Sequence, residues 1–114
     1  MLKIYGIKNC DTMKKAFTWL ELKGVKYSFH DYKKVGIDAK TIHNWLTKLN
    51  LEQIINVKGT TWKQLSDEQK AMAKNVSTAI ALMMEKPSLI KRPLVDLEGE
   101  FVLGFIPEVW EKTF

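Results

Sequence analysis

The chain predicts an α/β fold, with a mixed four-stranded sheet and an all-helical insertion between two parts of that sheet. Short apolar runs flank one amphipathic stretch near the N-terminus, and two more apolar runs surround a turn near the C-terminus. Between them, over about 36–87, apolar residues recur at helical spacing. At 114 residues the chain has the length of one domain. We therefore predict a single domain, 1–114, with its sheet parts at about 1–35 and 88–114.

The N-terminal part predicts a strand, a helix and a second strand. The first strand is the β-forming run "LKIYGI", which ends at the polar stretch "KNCDT". Apolar residues at positions i, i+3, i+4 and i+7 predict an amphipathic helix; they are Met13, Ala16, Phe17 and Leu20. This helix should end near Gly24. The second strand is the alternating run "VKYSFHDY", residues 25–32. Connections this short favour a right-handed parallel βαβ unit.

The middle of the chain predicts a helical block. After a turn at "KKVG", Asp38 is placed to cap a helix over 38–49. The stretch "SDEQ", 66–69, matches a capping box. Ser77 is expected to start another helix, which Pro87 ends.

The C-terminal part predicts a hairpin and a short helix. Apolar runs flank the turn residues in "PLVDLEGEFVLGF", and Pro107 is well placed at the first position of a helix in "PEVWEKTF". The whole order, βαβ, helices, ββα, corresponds to a thioredoxin-like plan with a helical insertion.

Composition narrows the classes of function. The net charge is +5 and the pI about 9.3, but every cation except Arg92 is a lysine, and most of these lysines are scattered along helix faces, a pattern typical of a solvated surface. We therefore expect no nucleic-acid partner. The N-terminus has no long apolar run, so we expect neither a signal peptide nor a membrane span, and a cytoplasmic location. We also expect no metal site.

The lone cysteine, Cys10, is the first candidate for chemistry. If Asp11 or Thr12 caps the first helix, Cys10 lies at or just before its N-terminus, where backbone N–H groups and the helix dipole favour the thiolate. A thiol with a lowered pKa is a nucleophile. A free cysteine often serves only as a small buried apolar residue. The polar neighbours Lys8 and Asn9 favour the reactive alternative.

A second candidate is "LIKRPLV", residues 89–95, where Arg92 directly precedes Pro93 at the start of a strand. Most cis peptide bonds in folded proteins precede proline, and such a bond would turn the neighbouring backbone towards a site. Arg92 then presents a planar guanidinium to an oxyanion or a thiolate. The alternative is a surface arginine before an edge-strand proline.

A third candidate is "NVKGTTW", residues 56–62, which joins Lys58 to a glycine and two threonines. Such a polar loop is compatible with an anion-binding turn. A plain connecting loop is the alternative.

Three separated motifs carry a resemblance to a known family. The stretches "YGIKNCDTMKKAFTWLE", "GTTWKQL" and "IKRPLV" resemble the ArsC-like family of arsenate reductases and Spx-type regulators, most closely its YffB-type branch. The resemblance implies a thioredoxin-like sheet with a helical insertion and a redox-active cysteine after the first strand, here Cys10. It also implies a cis proline in the arginine–proline motif, here Pro93.

Departures from the family pattern bear on the substrate. Arsenate reductases of this family use three arginines, of which Arg92 matches one; Lys58 stands in place of the second, and the third falls near Gly104. Lysine supplies charge without the bidentate fork, and glycine supplies neither. Spx-type regulators carry a second cysteine where this chain has Met13. The resemblance therefore implies neither a dedicated arsenate reductase nor an internal disulfide switch.

The function that the resemblance implies is a glutathione-dependent monothiol reductase with no bound cofactor. Cys10 and Arg92 are its expected catalytic residues, glutathione its co-substrate, and glutaredoxin a further partner. Residues expected to bind substrate or glutathione are Asn9, Asp11, Thr12, Lys58 and Pro93. The alternatives are a non-catalytic Spx-type protein that binds RNA polymerase, and a true arsenate reductase.

Overall fold

The computed structural model describes residues 2–114, which fall into two compact units. One unit, called here the sheet unit, comprises the chain up to Asp31 together with Arg92–Phe114. The other, the helical unit, comprises Tyr32–Lys91.

The sheet unit contains four strands and two helices. Its elements are β1 (Leu2–Gly6), α1 (Asp11–Leu22), β2 (Tyr27–Asp31), β3 (Leu94–Leu97), β4 (Glu100–Leu103) and α8 (Pro107–Thr113). The strand order is β2-β1-β3-β4, with β1 parallel to β2 and antiparallel to β3, and β4 antiparallel to β3. The mixed four-stranded sheet and its βαβ start are thus confirmed.

The core of the sheet unit lies between the sheet and its two helices. Leu2 and Ile4 alternate along β1 and therefore share one face of it. Buried residues of both helices pack against that face, and the cluster is formed by Leu2, Ile4, Met13, Ala16, Leu20, Val95 and Trp110. Both α1 and α8 consequently cover the same side of the sheet, and α1 brings its first turn to the end of β1.

The start of α1 differs from expectation, because Cys10 itself is the N-cap. Its backbone is extended, with φ −134° and ψ 130°, while its carbonyl already accepts the Lys14 N–H at 2.9 Å. Asp11 and Thr12, the expected caps, are the first helical residues. The helix ends as predicted before Gly24, whose φ is +68°.

Strand β2 begins at Tyr27 and not at Val25 as predicted. The Val25 N–H bonds to the Leu20 carbonyl at 2.9 Å and so closes the end of α1 instead of joining the sheet. The alternation of apolar residues continues through this connection, which is why the sequence pattern does not mark the strand's start.

The helical unit is built from short helices. They are α2 (Tyr32–Val35), α3 (Ala39–Trp45), α4 (Leu51–Ile54), α5 (Thr60–Lys63), α6 (Asp67–Met72) and α7 (Val76–Glu85), with a 3₁₀ turn at Pro87–Leu89. The longest helix described in residues 2–114 has 12 residues, against about 20 for a membrane span. None of the helices in that range combines the length and apolarity needed to cross a membrane.

Two predicted caps in the helical unit are confirmed. The Asp38 side chain accepts the Thr41 N–H at 2.8 Å, and Ser66 forms a reciprocal capping box with Gln69. Helix α3 nevertheless ends at Trp45 and not at residue 49, because the N–H of Lys48 bonds three residues back, at 3.1 Å, and tightens the last turn.

Other predictions in the helical unit were wrong in detail. The expected turn at "KKVG" is mostly the helical turn α2. Helix α7 is capped by Asn75, whose side chain accepts the Ser77 N–H at 3.1 Å, so Ser77 lies inside the helix and does not start it. The helix ends before Pro87, as predicted, and that proline then begins the 3₁₀ turn.

The predicted hairpin joins β3 to β4. Glu98 and Gly99 form its two-residue turn with φ of 52° and 92°, the positive values that a type I′ turn requires. The Gly99 N–H also bonds to the Asp96 side chain at 2.8 Å. Pro107 is the first residue of α8, as expected.

Candidate functional site

The candidate site is centred on Cys10, the residue between β1 and α1. Its side chain is half-buried and packs against the core of the sheet unit. As the N-cap, its thiol lies where the first backbone N–H groups of α1 are unused by the helix. The Cys10 side chain makes no capping hydrogen bond of ordinary geometry. The nearby backbone N–H groups and Arg92 nevertheless lower the pKa of the thiol.

The pKa of the Cys10 thiol lies below its ordinary value. Partial burial on its own raises this pKa, since it penalises the charged form. Hydrogen bonds from the Met13 N–H, the Arg92 side chain and the Thr12 N–H, together with the positive charge of Arg92, outweigh burial and stabilise the thiolate. The environment therefore favours the nucleophilic form of the thiol.

Arg92 reaches this thiol from the segment before β3. The Arg92–Pro93 peptide bond is cis, as the resemblance implies. Pro93 is buried, and its carbonyl accepts the Gly104 N–H at 2.8 Å, which ties the residue after β4 to this segment. The structure thus brings together Cys10, Arg92 and Pro93, which are far apart in sequence.

Asn9, Asp11 and Thr12 flank the thiol and are all exposed. Thr12 acts on the thiolate through its backbone N–H. The side chains of Asn9 and Asp11 are accessible beside Cys10. Their role in binding substrate or glutathione stays a prediction.

Lys58 belongs to the helical unit, not to the unit that holds Cys10. It is exposed, and its N–H bonds to the Asn56 side chain at 3.2 Å. The stretch expected to be a polar loop is partly helical, since Gly59 caps α5 and Thr60 begins it. The Thr61 hydroxyl is already bonded to Ser88 at 2.9 Å. This leaves Lys58 as an exposed cation at a helical turn, and its predicted role untested.

The sequence indicated that backbone N–H groups act on the thiol, but not which residues supply them. The Met13 N–H makes the largest of the contributions that lower the thiol pKa, yet the sequence marks Met13 only as an apolar residue of the helix and as the replacement of a second cysteine. A backbone N–H has no residue-type signature, so only the position three residues after the cap could have indicated it. Within residues 2–114, no group of three potential metal ligands is brought together.

The fold and the site together define the class of protein. A mixed sheet with this strand order, helices on its face and one cysteine at the N-cap of the first helix describe a thioredoxin-like protein with a single thiol. The model of the ArsC family matches residues 5–113, and the chain belongs to that family.

Similar proteins agree with this assignment. An uncharacterized protein of Haemophilus influenzae is 36% identical over 114 residues, covering 100% of this chain and 99% of that protein. The solved structure of a YFFB protein is 44% identical with a TM-score of 0.92, covering 98% of this chain and 97% of that one. An arsenate reductase (ArsC) related protein from Brucella melitensis is also 44% identical, with a TM-score of 0.78, covering 97% and 92%.

A more distant relative is a regulator. The global transcriptional regulator Spx of Streptococcus pneumoniae is 23% identical over 107 residues, covering 92% of this chain and 79% of that protein. The family of this chain therefore includes both reductase-related and regulatory proteins.

Proposed function

We propose that the protein is a glutathione-dependent monothiol reductase with Cys10 as its nucleophile. The observation that carries this proposal is the position of Cys10, a half-buried free thiol at the N-cap of α1. Although burial raises the pKa of this thiol, the Met13 N–H and the Arg92 side chain lower it. A structural cysteine does not need such an environment, whereas a thiol that attacks another sulfur does.

The proposed reaction proceeds by two exchanges. The Cys10 thiolate attacks one sulfur of a substrate disulfide, forms a mixed disulfide with it and releases the other sulfur as a thiolate. A glutathione thiolate then attacks the outer sulfur of the mixed disulfide, and Cys10 leaves as a thiolate. Cys10 is the only cysteine in the chain, so the second thiol must come from outside.

Glutathione is an anionic tripeptide, and the site offers it cationic and backbone partners. The Arg92 guanidinium lies at the thiol, where it can pair with a carboxylate. Exposed groups of Asn9, Asp11 and Thr12 surround the same thiol. Lys58 lies in the helical unit, so its expected role in glutathione binding stays a prediction, which Lys58→Ala tests separately from Arg92→Ala.

Intact mass spectrometry after incubation with oxidised glutathione tests the proposal. The wild type should gain the mass of one glutathione, and added reduced glutathione should remove it. Cys10→Ser should gain none, and Arg92→Ala should react more slowly. Lys112→Ala, which removes an exposed cation on α8 of the same unit, is the matched control and should react like the wild type. A wild-type protein that forms no adduct would contradict the proposal.

A second candidate function is a non-catalytic binding protein of the Spx type, and a feature of the helical unit favours it. The helical unit carries ten lysines against five carboxylates, while the sheet unit balances eight cations with eight carboxylates. The net charge of +5 therefore belongs to the helical unit. This unit also holds an open cavity of about 540 Å³, lined mainly by apolar side chains that include Ile55, Val57 and Trp62. Charge and an exposed apolar surface together suit a protein partner.

Binding to purified RNA polymerase separates this second function from the first. If the second function is correct, Cys10→Ser should bind like the wild type, and Val57→Asp and Trp62→Ala should bind more weakly. If the protein binds the polymerase in this way, forms no glutathione adduct and shows no turnover, the second function replaces the reductase as the proposed function. A glutathione adduct with no binding to the polymerase would exclude the second function.

A further inference from the structure

The Met13 side chain occupies the space beside Gly6 where a side chain on residue 6 would begin. Gly6 is buried at the end of β1, and Met13 is fully buried in the first turn of α1. A Cβ atom placed on Gly6 would lie 2.5 Å from the Met13 sulfur and 2.6 Å from its terminal methyl carbon. Such distances are far inside van der Waals contact, so the Met13 side chain occupies the space that a larger residue at position 6 would need.

The glycine is required by this contact and not by its backbone. Gly6 is absent from the glycines with positive φ, which are Gly24, Gly36, Gly99 and Gly104. Any residue can therefore adopt its backbone conformation, and the Met13 thioether is the only group within 3.4 Å of the added carbon. The Met13 side chain is fully buried in the close-packed core of the sheet unit, where a displaced side chain must push on its neighbours.

We propose that Met13 is a positioning residue: its side chain, seated in the space that Gly6 leaves, fixes the first turn of α1 so that the backbone N–H groups of Thr12 and Met13 face the Cys10 sulfur. This inference rests on the proposed function of Cys10 as a nucleophile and adds how its environment is held. Met13 stands where a dithiol protein has its resolving cysteine. In this chain it instead holds the N–H groups that face the single thiol.

The geometry gives the mechanism of this effect. The Met13 N–H and the Met13 side chain belong to one residue, so a displacement of the buried side chain moves the donor as well. Hydrogen-bond strength falls steeply with distance and misalignment. A methyl group on residue 6 should therefore weaken the hydrogen bonds to the thiolate without altering Cys10, Arg92 or any charge in the protein.

The test measures the rate of Cys10 alkylation by iodoacetamide as a function of pH in the full-length protein and its variants. Gly6→Ala should raise the midpoint by half a pH unit or more, which lowers the rate by about threefold at pH values below the midpoint. Met13→Ala should also raise it, because the anchor is lost. In the double variant the alanine at 6 no longer meets the thioether, so the combined shift should be smaller than the sum of the two single shifts.

Leu20→Ala is the matched control for stability. Leu20 is fully buried in the same helix and the same core but lies about three turns beyond Cys10, so this variant should lose stability and keep the wild-type midpoint. Urea unfolding of each variant provides the comparison. If Gly6→Ala does not fold, the Met13→Ala midpoint decides the question in its place.

Two outcomes would overturn the inference: an unchanged midpoint in the folded Gly6→Ala or Met13→Ala variant, or an equal shift in Leu20→Ala. Alkylation needs no glutathione, so these results stand apart from the proposed function. A wild type that forms no glutathione adduct would refute the proposed function and leave the test of Met13 intact.

Discussion

The backbone N–H of Gly104 donates a 2.8 Å hydrogen bond to the carbonyl oxygen of Pro93. Gly104 has a φ of +78°, in the left-handed region that glycine adopts without a steric penalty. Pro93 is bonded to Arg92, whose side chain stabilises the Cys10 thiolate. A left-handed glycine after β4 is therefore part of the framework that holds the arginine of the site.

We first predict that Gly104→Ala lowers the free energy of unfolding by about 1–2 kcal/mol, because an L-residue with a Cβ is disfavoured in the left-handed region. The space beside Gly104 is open, so the cost comes from the backbone and not from a clash. Urea unfolding measures it. Alkylation of Cys10 should also slow, because the bond to Pro93 is strained.

Gly36→Ala is the control for this prediction. Gly36 also has a positive φ, +64°, with open space beside it, but lies in the helical unit. It should lose a similar amount of stability and keep the wild-type alkylation rate. Equal alkylation rates in the two variants would show that the bond between Gly104 and Pro93 does not affect the thiol.

A second prediction concerns stability as a function of pH. The folded thiol of Cys10 has a lowered pKa, so it loses its proton at a lower pH than the unfolded thiol does. Between these two pKa values the unfolded state binds more protons, and the free energy of unfolding therefore rises with pH. The contribution is complete above the unfolded pKa, near 8.5, and is lost as the pH falls through the folded pKa.

Urea unfolding at a series of pH values, in the wild type and in Cys10→Ser, measures this contribution. The wild type should gain stability over Cys10→Ser as the pH rises towards about 8.5. A constant difference between the two proteins across this range would mean that the folded and unfolded thiols have the same pKa.

The sequence predicted the βαβ start and the hairpin because both leave local sequence patterns. A β-forming run indicated β1, alternation indicated β2 and helical periodicity indicated α1, while the turn at Glu98 and Gly99 indicated the hairpin. Boundaries were less predictable where a backbone hydrogen bond decides them. The Val25 N–H closes α1 instead of entering β2, and no side-chain pattern reports that choice.

The sequence identified the side chains of the candidate site by residue, but its backbone donors only by their place at a helix N-terminus. Cys10 and Arg92 are each the only residue of their type in the chain, which makes them conspicuous in the sequence. The donors that matter most to the thiolate are N–H groups, and any residue except proline provides one. The fit of Met13 to Gly6 depends on three-dimensional contact between a strand end and a helix, so neither residue alone indicates it.

A third prediction concerns Trp110, which is fully buried and donates its indole N–H to the Gly104 carbonyl at 3.0 Å. Trp110→Phe removes this bond and leaves part of the indole space empty, so unfolding should become easier by about 1–3 kcal/mol. Trp19→Phe is the control, because Trp19 is half-buried and packs edge-on against Trp110 at 5.4 Å. Thermal or urea unfolding should show a clearly smaller loss of stability for Trp19→Phe than for Trp110→Phe. Equal losses of stability would mean that the hydrogen bond to Gly104 contributes nothing measurable.

The final prediction concerns substrate choice: the protein should reduce a small disulfide with glutathione and reduce arsenate poorly or not at all. An arsenate dianion and its transition state need several fixed cationic donors, and the loss of one donor from such a site commonly lowers the rate about 100-fold or more.

Of the three arginines that the family's arsenate reductases use, this chain retains Arg92, has Lys58 for another and has the left-handed Gly104 near the third. An arginine at 104 would carry the backbone penalty of a positive φ, so Gly104→Arg should not restore arsenate turnover even in combination with Lys58→Arg. Parallel assays with glutathione and glutaredoxin, against arsenate and a small disulfide, should show disulfide turnover in the wild type, none in Cys10→Ser and a reduced rate in Arg92→Ala. Robust arsenate turnover that depends on Cys10 would instead identify the protein as an arsenate reductase and show that one arginine at the thiolate is sufficient for that chemistry.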